Sequence, residues 1–173
     1  MIVDLREFED FPAQTTVAAG PGEIKAIADS IKTVTGASIE LAIQKAGEEF
    51  FCQGRVHATV VVECARCLKE FETELRNSAD FVICSDTVAT TRLHDGIDDE
   101  DYVYLQGGDL RADITEPVRQ ALELALPLKP LCKPDCKGIC PECGADRNEQ
   151  SCDCKTEAID PRWEGLKGLL GEK

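Results

Sequence analysis

The chain has 173 residues, a formal net charge of −14 and a sequence pI of about 4.5. That length holds one domain with at most a small appendage. That charge repels phosphate backbones, so free RNA or DNA is a poor direct partner and a basic protein a better one.

No run approaches the roughly 20 apolar residues of a membrane span. Met1 to Asp10 has no basic start and no apolar core, so no signal peptide is read and the cytoplasm is the expected location. In that reducing compartment the ten cysteines are expected as thiols or metal thiolates rather than disulfides.

In chain order, Ile24, Ile27, Ala28 and Ile31 recur at helical spacing and predict a short helix. From Ser38 to Lys45 the pattern alternates, with Ile39, Leu41 and Ile43 on one face. Gly47 then marks a turn. A second strand runs from Phe50 to Glu63, with Phe50, Cys52, Val56, Ala58, Val60 and Val62 on one face and Arg55, His57, Thr59 and Glu63 on the other. The two strands predict an antiparallel hairpin. Phe71, Thr73 and Leu75 resume the alternation, and Phe81 to Cys84 either extends that strand or starts another. Cys52 and Cys84 fall in apolar strand patterns and read as buried core thiols.

From Asp86 to Gly108 the chain is polar and reads as a mobile loop. It gathers Asp95, Asp98, Asp99, Glu100 and Asp101 into an acidic interaction loop without the spacing of a calcium-binding hand. Leu110 to Leu126 predicts the main helix, with Ile114, Val118, Ala121, Leu122 and Ala125 as its apolar stripe. Asp113 or Thr115 is its cap, Pro117 sits in its first turn, and Pro127 stops it. Trp163, Leu166, Leu169 and Leu170 suggest a short terminal helix. Strands followed by helices give the class α+β: an antiparallel sheet packed by one or two helices. The division is residues 1–126 for that domain and 127–173 for a cysteine-rich zinc-binding tail.

The tail carries six cysteines between Cys132 and Cys154. A tetrahedral zinc site needs four soft ligands, and closely spaced cysteines on a tight turn supply two at once. Cys140-Pro-Glu-Cys143-Gly144 is such a turn. The preferred ligand set is Cys140, Cys143, Cys152 and Cys154, with Cys132 and Cys136 as the other possible pair. Thiolate-only sites are closed, so the zinc is read as structural; the ligand count alone also suits an iron–sulfur cluster. Lys129 to Lys155 contains five basic and five acidic residues, which is not the basic surface of a nucleic-acid grip. Upstream, Cys64-Ala-Arg-Cys67 reads as half of a metal knuckle, as a redox pair, or as a turn presenting Arg66 to a partner. His57 and His94 read as solvated, and no catalytic constellation is visible.

Taken together, Cys64-Ala-Arg-Cys67-Leu68, Leu124-Ala-Leu-Pro-Leu-Lys-Pro-Leu-Cys132, Asp135-Cys-Lys-Gly-Ile-Cys-Pro-Glu-Cys-Gly144 and Asp160-Pro-Arg-Trp163 resemble the bacterial and plastid YceD-like family. The resemblance runs from about residue 40 to the end. It implies a role in 23S ribosomal RNA accumulation or processing, hence in large-subunit biogenesis, and offers no catalytic residues to carry over. Joined to the charge, it gives a non-enzymatic factor acting through a basic ribosomal protein or a large-subunit assembly intermediate. The alternatives are a thiol redox or metal-handling protein built on Cys64, Cys67 and the tail cysteines, and a direct RNA binder using Arg111, Arg119, Lys129, Lys133 and Lys137.

Overall fold

A computed structural model describes residues 1–24, 31–85, 101–105 and 109–154. Its elements in order are β1 (Ile2–Asp4), a single 3-10 turn (Leu5–Glu7), β2 (Ala13–Ala19), β3 (Ile31–Ala46), β4 (Glu49–Glu63), β5 (Glu70–Ser85), β6 (Tyr102–Leu105), β7 (Arg111–Asp113) and the helix α1 (Thr115–Ala125). Strands β2 to β6 form a five-stranded sheet in sequence order, and β1 pairs with β7 in a separate two-stranded ribbon.

The long central strands follow from strict alternation. On β4, Phe50, Cys52, Val56, Ala58, Val60 and Val62 are all buried, as are Ile39, Leu41 and Ile43 opposite them on β3. A one-residue slip would turn this whole set to water, so the register is strongly specified. Gly47, at φ +65°, begins the two-residue turn that closes the β3–β4 hairpin between Ala46 and Glu49. Phe71 to Cys84 belongs to one continuous strand, β5, rather than two.

Helix α1 packs on one face of the sheet, chiefly against β5. Val118, Ala121 and Leu122 are buried in the core cluster with Leu75, Ala79, Phe81 and Ile83 of β5, and Asn77 Nδ2 donates to the Ala121 carbonyl at 2.9 Å. The opposite face is open: Glu40, Gln53, Arg55, Glu70, Glu72, Glu74, Arg76, Ser78 and Asp80 are exposed on it. Cross-strand pairs such as Arg55–Glu40 at 2.9 Å run over this face, and exposed pairs of this kind contribute little to stability.

Several expectations are corrected. The helix begins at Thr115, not Leu110, because Arg111–Asp113 is a strand whose buried Ala112 pairs with Val3 of β1. Its N-cap is Ile114, which has no side-chain oxygen; Asp113 instead accepts from the Thr115 amide at 3.0 Å. Pro117 does occupy the first turn, where its missing N–H removes no helical bond. Within the stretch read as an acidic loop, Tyr102–Leu105 is a strand, and it runs parallel to Val82–Ser85. The sheet is therefore mixed at that edge. The short helix read over Ile24 to Ile31 lies mostly outside the described residues, although Ile31 itself opens β3. The terminal helix, His94, and Asp95, Asp98, Asp99 and Glu100 lie outside them entirely. Asp101 is described, and its carbonyl accepts from the Val82 amide at 2.9 Å.

Candidate metal centres

The turn between β4 and β5 presents two of the four cysteines of a group that could hold a metal ion. Cys64 follows the last residue of β4, and Lys69 precedes the first of β5. Within the turn, the Cys64 amide donates to the Lys69 carbonyl at 2.9 Å, and the Leu68 amide to the Cys64 carbonyl at 2.9 Å. Leu68 sits at φ +59°, an unusual conformation for a branched side chain, and it is 55% exposed. The fold thus tolerates local strain to point Cys64 and Cys67 the same way.

The chain after α1 returns to this turn. The Ala65 amide donates to the Pro130 carbonyl at 2.8 Å, the Ile139 amide to the Arg66 carbonyl at 3.1 Å, and Arg66 Nη1 to the Cys136 carbonyl at 2.8 Å. These contacts place the Cys64 sulfur 3.8 Å from that of Cys136, and the Cys67 sulfur 3.6 Å from that of Cys132. All four sulfurs lie within 4.8 Å of one another. Four thiolates about 2.3 Å from a tetrahedral ion stand about 3.8 Å apart, whereas a disulfide needs about 2.05 Å. The separations fit a metal ion and not a disulfide.

A second group follows at once. Cys140, Cys143, Cys152 and Cys154 also bring their sulfurs within 4.8 Å of one another. Cys140 is buried, but Cys143 and Cys154 are exposed. Here the Gly144 amide donates to the Cys140 carbonyl at 2.9 Å and the Cys140 amide to the Ala145 carbonyl at 2.8 Å, closing the expected tight turn with Gly144 at φ +72°. Cys132 and Cys136 therefore join Cys64 and Cys67, and not the other tail cysteines.

The backbone of both turns is arranged for anionic sulfur. At Cys64, burial pushes the thiol up, but the Cys132, Cys67 and Arg66 amides outweigh it and bring the pKa down to about 6. At Cys140 the Cys143 and Glu142 amides lower it to about 6 as well. One further member of each group moves the other way: burial and then the adjoining sulfurs raise Cys132 to about 12, and hydrogen bonding with Cys143 followed by burial raises Cys154 to about 12. Four thiols in one small volume cannot all ionise together without a cation; a bound divalent ion removes that restriction. By contrast, burial alone raises Cys52 to about 12, as expected of a core thiol.

Gly138 lies between the two groups at φ +73°, and a Cβ there would stand 2.9 Å from the Arg66 carbonyl oxygen. Gly138→Ala is expected to weaken the first centre by about 1–3 kcal/mol through backbone strain. Competition with a chromophoric chelator measures this; unchanged metal affinity would contradict the geometry.

Sequence spacing alone missed Lys69 and Asn148. Lys69 Nζ reaches Asp146 at 2.9 Å and also pairs with Glu149. Asn148 Nδ2 lies 3.4 Å from the Cys136 sulfur. Nothing local ties either residue to the first group, since Lys69 meets Asp146 and Glu149 from a distant segment and Asn148 reaches back to Cys136 through the fold.

The fold and site define a class: a β-sheet protein whose central hairpin turn and C-terminal segment together build a pair of four-cysteine centres. Residues 52–170 match the family described as large ribosomal RNA subunit accumulation protein YceD, and the chain belongs to that family. An uncharacterized protein of Mycobacterium tuberculosis is 33% identical over 133 residues, covering 77% of this chain and 61% of that protein. The chain thus spans about three-fifths of the length of that relative. An uncharacterized protein of Mycobacterium leprae is 28% identical over 137 residues, covering 77% of this chain and 58% of that protein. The chloroplastic large ribosomal RNA subunit accumulation protein YCED homolog 1 of Zea mays is 36% identical over 76 residues, covering 43% of this chain and 25% of that protein. No solved structure matches the chain. Among the described residues, no helix is long and apolar enough to cross a membrane.

Proposed function

We propose that this protein is a non-enzymatic cytoplasmic factor that supports accumulation of 23S ribosomal RNA and assembly of the large ribosomal subunit, acting through protein contacts. The observation that carries this is family membership across residues 52–170, together with the name borne by the Zea mays relative. In this proposal each four-cysteine centre holds a structural zinc. Four sulfurs fill all four positions of a tetrahedral ion and leave none for substrate or water. The division is a sheet domain over residues 1–126 and a metal-dependent tail over 127–173.

A basic partner suits the charge. The chain carries −14 overall, and the open sheet face displays Glu40, Glu70, Glu72, Glu74 and Asp80. Such a field favours encounter with a basic ribosomal protein or an assembly intermediate and disfavours bare RNA. A redox role for Cys64 and Cys67 is less favoured. At 0% and 5% exposure they lack the access that thiol exchange needs.

Depleting the protein from its own cells tests this. The expected outcome is a selective fall in 23S relative to 16S RNA and in free large subunits on a sucrose gradient. Wild-type protein restores both, and Cys67→Ser does not. An unaltered ratio and gradient after depletion would dismiss the assembly role.

A further inference from the structure

The two four-cysteine centres share their scaffold. Cys136 belongs to the first and Cys140 to the second, and the short stretch between them pairs with the loop of the second. Ile139 bridges antiparallel to Asp146. The Arg147 amide donates to the Gly138 carbonyl at 2.9 Å, and Gly138 is the glycine packed on Arg66.

The loop from Ala145 to Ser151 is held at both ends by ligands of the second centre, Cys143 before it and Cys152 after it. Its residues nevertheless serve the first. Asn148 Nδ2 donates to the sulfur of Cys136 at 3.4 Å, and Asn148 Oδ1 accepts from the Lys137 amide at 2.9 Å. Asn148 is itself fixed by Asp146, whose Oδ1 accepts from both the amide and Nδ2 of Asn148 at 2.8 Å. Asp146 and Glu149 also clasp Lys69 at the base of the first centre's knuckle.

We infer that the two centres bind metal cooperatively and that Asn148 is the positioning residue that couples them. Closing the second centre fixes both ends of the loop, and this lowers the entropy lost in presenting Asn148 to Cys136. A hydrogen bond to a ligating sulfur stabilises its thiolate form and orients it, and loss of such an outer partner typically costs about 10–100-fold in metal affinity. Linkage makes the effect reciprocal: metal in the first centre orders the Cys136–Cys140 stretch and so favours the second.

Zinc(II) competition with a chromophoric chelator, on the full chain, tests the coupling without reference to ribosomal RNA. One variant, Cys152→Ser with Cys154→Ser, keeps every ligand of the first centre. Another, Cys64→Ser with Cys67→Ser, keeps every ligand of the second. The product of the two stepwise association constants of the wild type is compared with the product of the two single-centre constants. Coupling makes the first product larger, by about 5–150-fold; equality within twofold would overturn the proposal. Asn148→Ala retains all eight ligands, so it serves even where a ligand variant fails to fold. It is expected to lower the wild-type product by about tenfold or more. A product equal to that of wild type would remove Asn148 from the role.

Discussion

Stripping metal from the purified protein is expected to release residues 127–154 from the sheet while the five-stranded sheet stays folded. The two parts are held by different forces. The sheet has its own core, from Ile39 and Leu41 through Val60 and Ile83 to Leu122. Among the described residues, the head formed by the β4–β5 turn and residues 127–154 has a small one: its buried cluster is Cys64, Cys67 and Cys136, with Phe71, Leu131 and Cys132 packed against it. The backbone bonds that dock it, such as Ala65 to Pro130 and Ile139 to Arg66, contribute about 1 kcal/mol each. Structural zinc in comparable peptides supplies about 10–16 kcal/mol of apparent folding free energy, so removing it takes away most of what holds the head together. Limited proteolysis with mass mapping should show new cuts between residues 127 and 154 and none in β3 to β5, with the far-ultraviolet strand signal retained. Metal analysis of the untreated protein should find two ions per chain. A stripped protein as resistant in the head as the loaded one would show that the metal does not hold it.

What the sequence disclosed follows the length and regularity of each signal. β4 was legible because six apolar residues alternate from Phe50 to Val62 and bury one face, and β3 and β5 repeat the pattern. β1 and β7, at three residues each, are too short for periodicity, and Arg111–Asp113 was absorbed into the helical stripe that follows it. β2 is built mostly from alanines and threonines, and Tyr102–Leu105 is hidden by the acids before it. Both are strands because a neighbouring strand pairs with them, which is tertiary information. At the two cysteine groups the local turns were legible: Cys64 to Cys67 as a cysteine pair at a strand end, and Cys140 to Gly144 as a tight turn. The pairing of Cys64 and Cys67 with Cys132 and Cys136 was not, because no local spacing records which distant cysteines a hairpin turn will meet. Lys69 and Asn148 were invisible for the same reason.

Leu122→Ala should produce the converse of metal removal. Leu122 is fully buried, at 0% exposure, on the face of α1 that packs against β5. Truncating such a side chain loses transfer free energy and leaves a cavity, together about 2–5 kcal/mol. The Asn77 to Ala121 bond beside it ties the helix to β5, but one hydrogen bond is too little to compensate. The melting temperature of the sheet should drop by about 4 °C for each kcal/mol lost. Zinc affinity should not follow. The segment that carries Cys132 is pinned to the hairpin turn by the Ala65 to Pro130 bond and not by α1, and sites without shared partners behave additively. Thermal melting followed by circular dichroism, run beside chelator competition, separates the two quantities. A fall in stability below about 1 kcal/mol, well short of the cavity cost, would mean that the helix is not the clamp on this sheet. A parallel fall in zinc affinity would mean that core and metal centres form one cooperative unit, and then chelation would have to unfold the sheet as well.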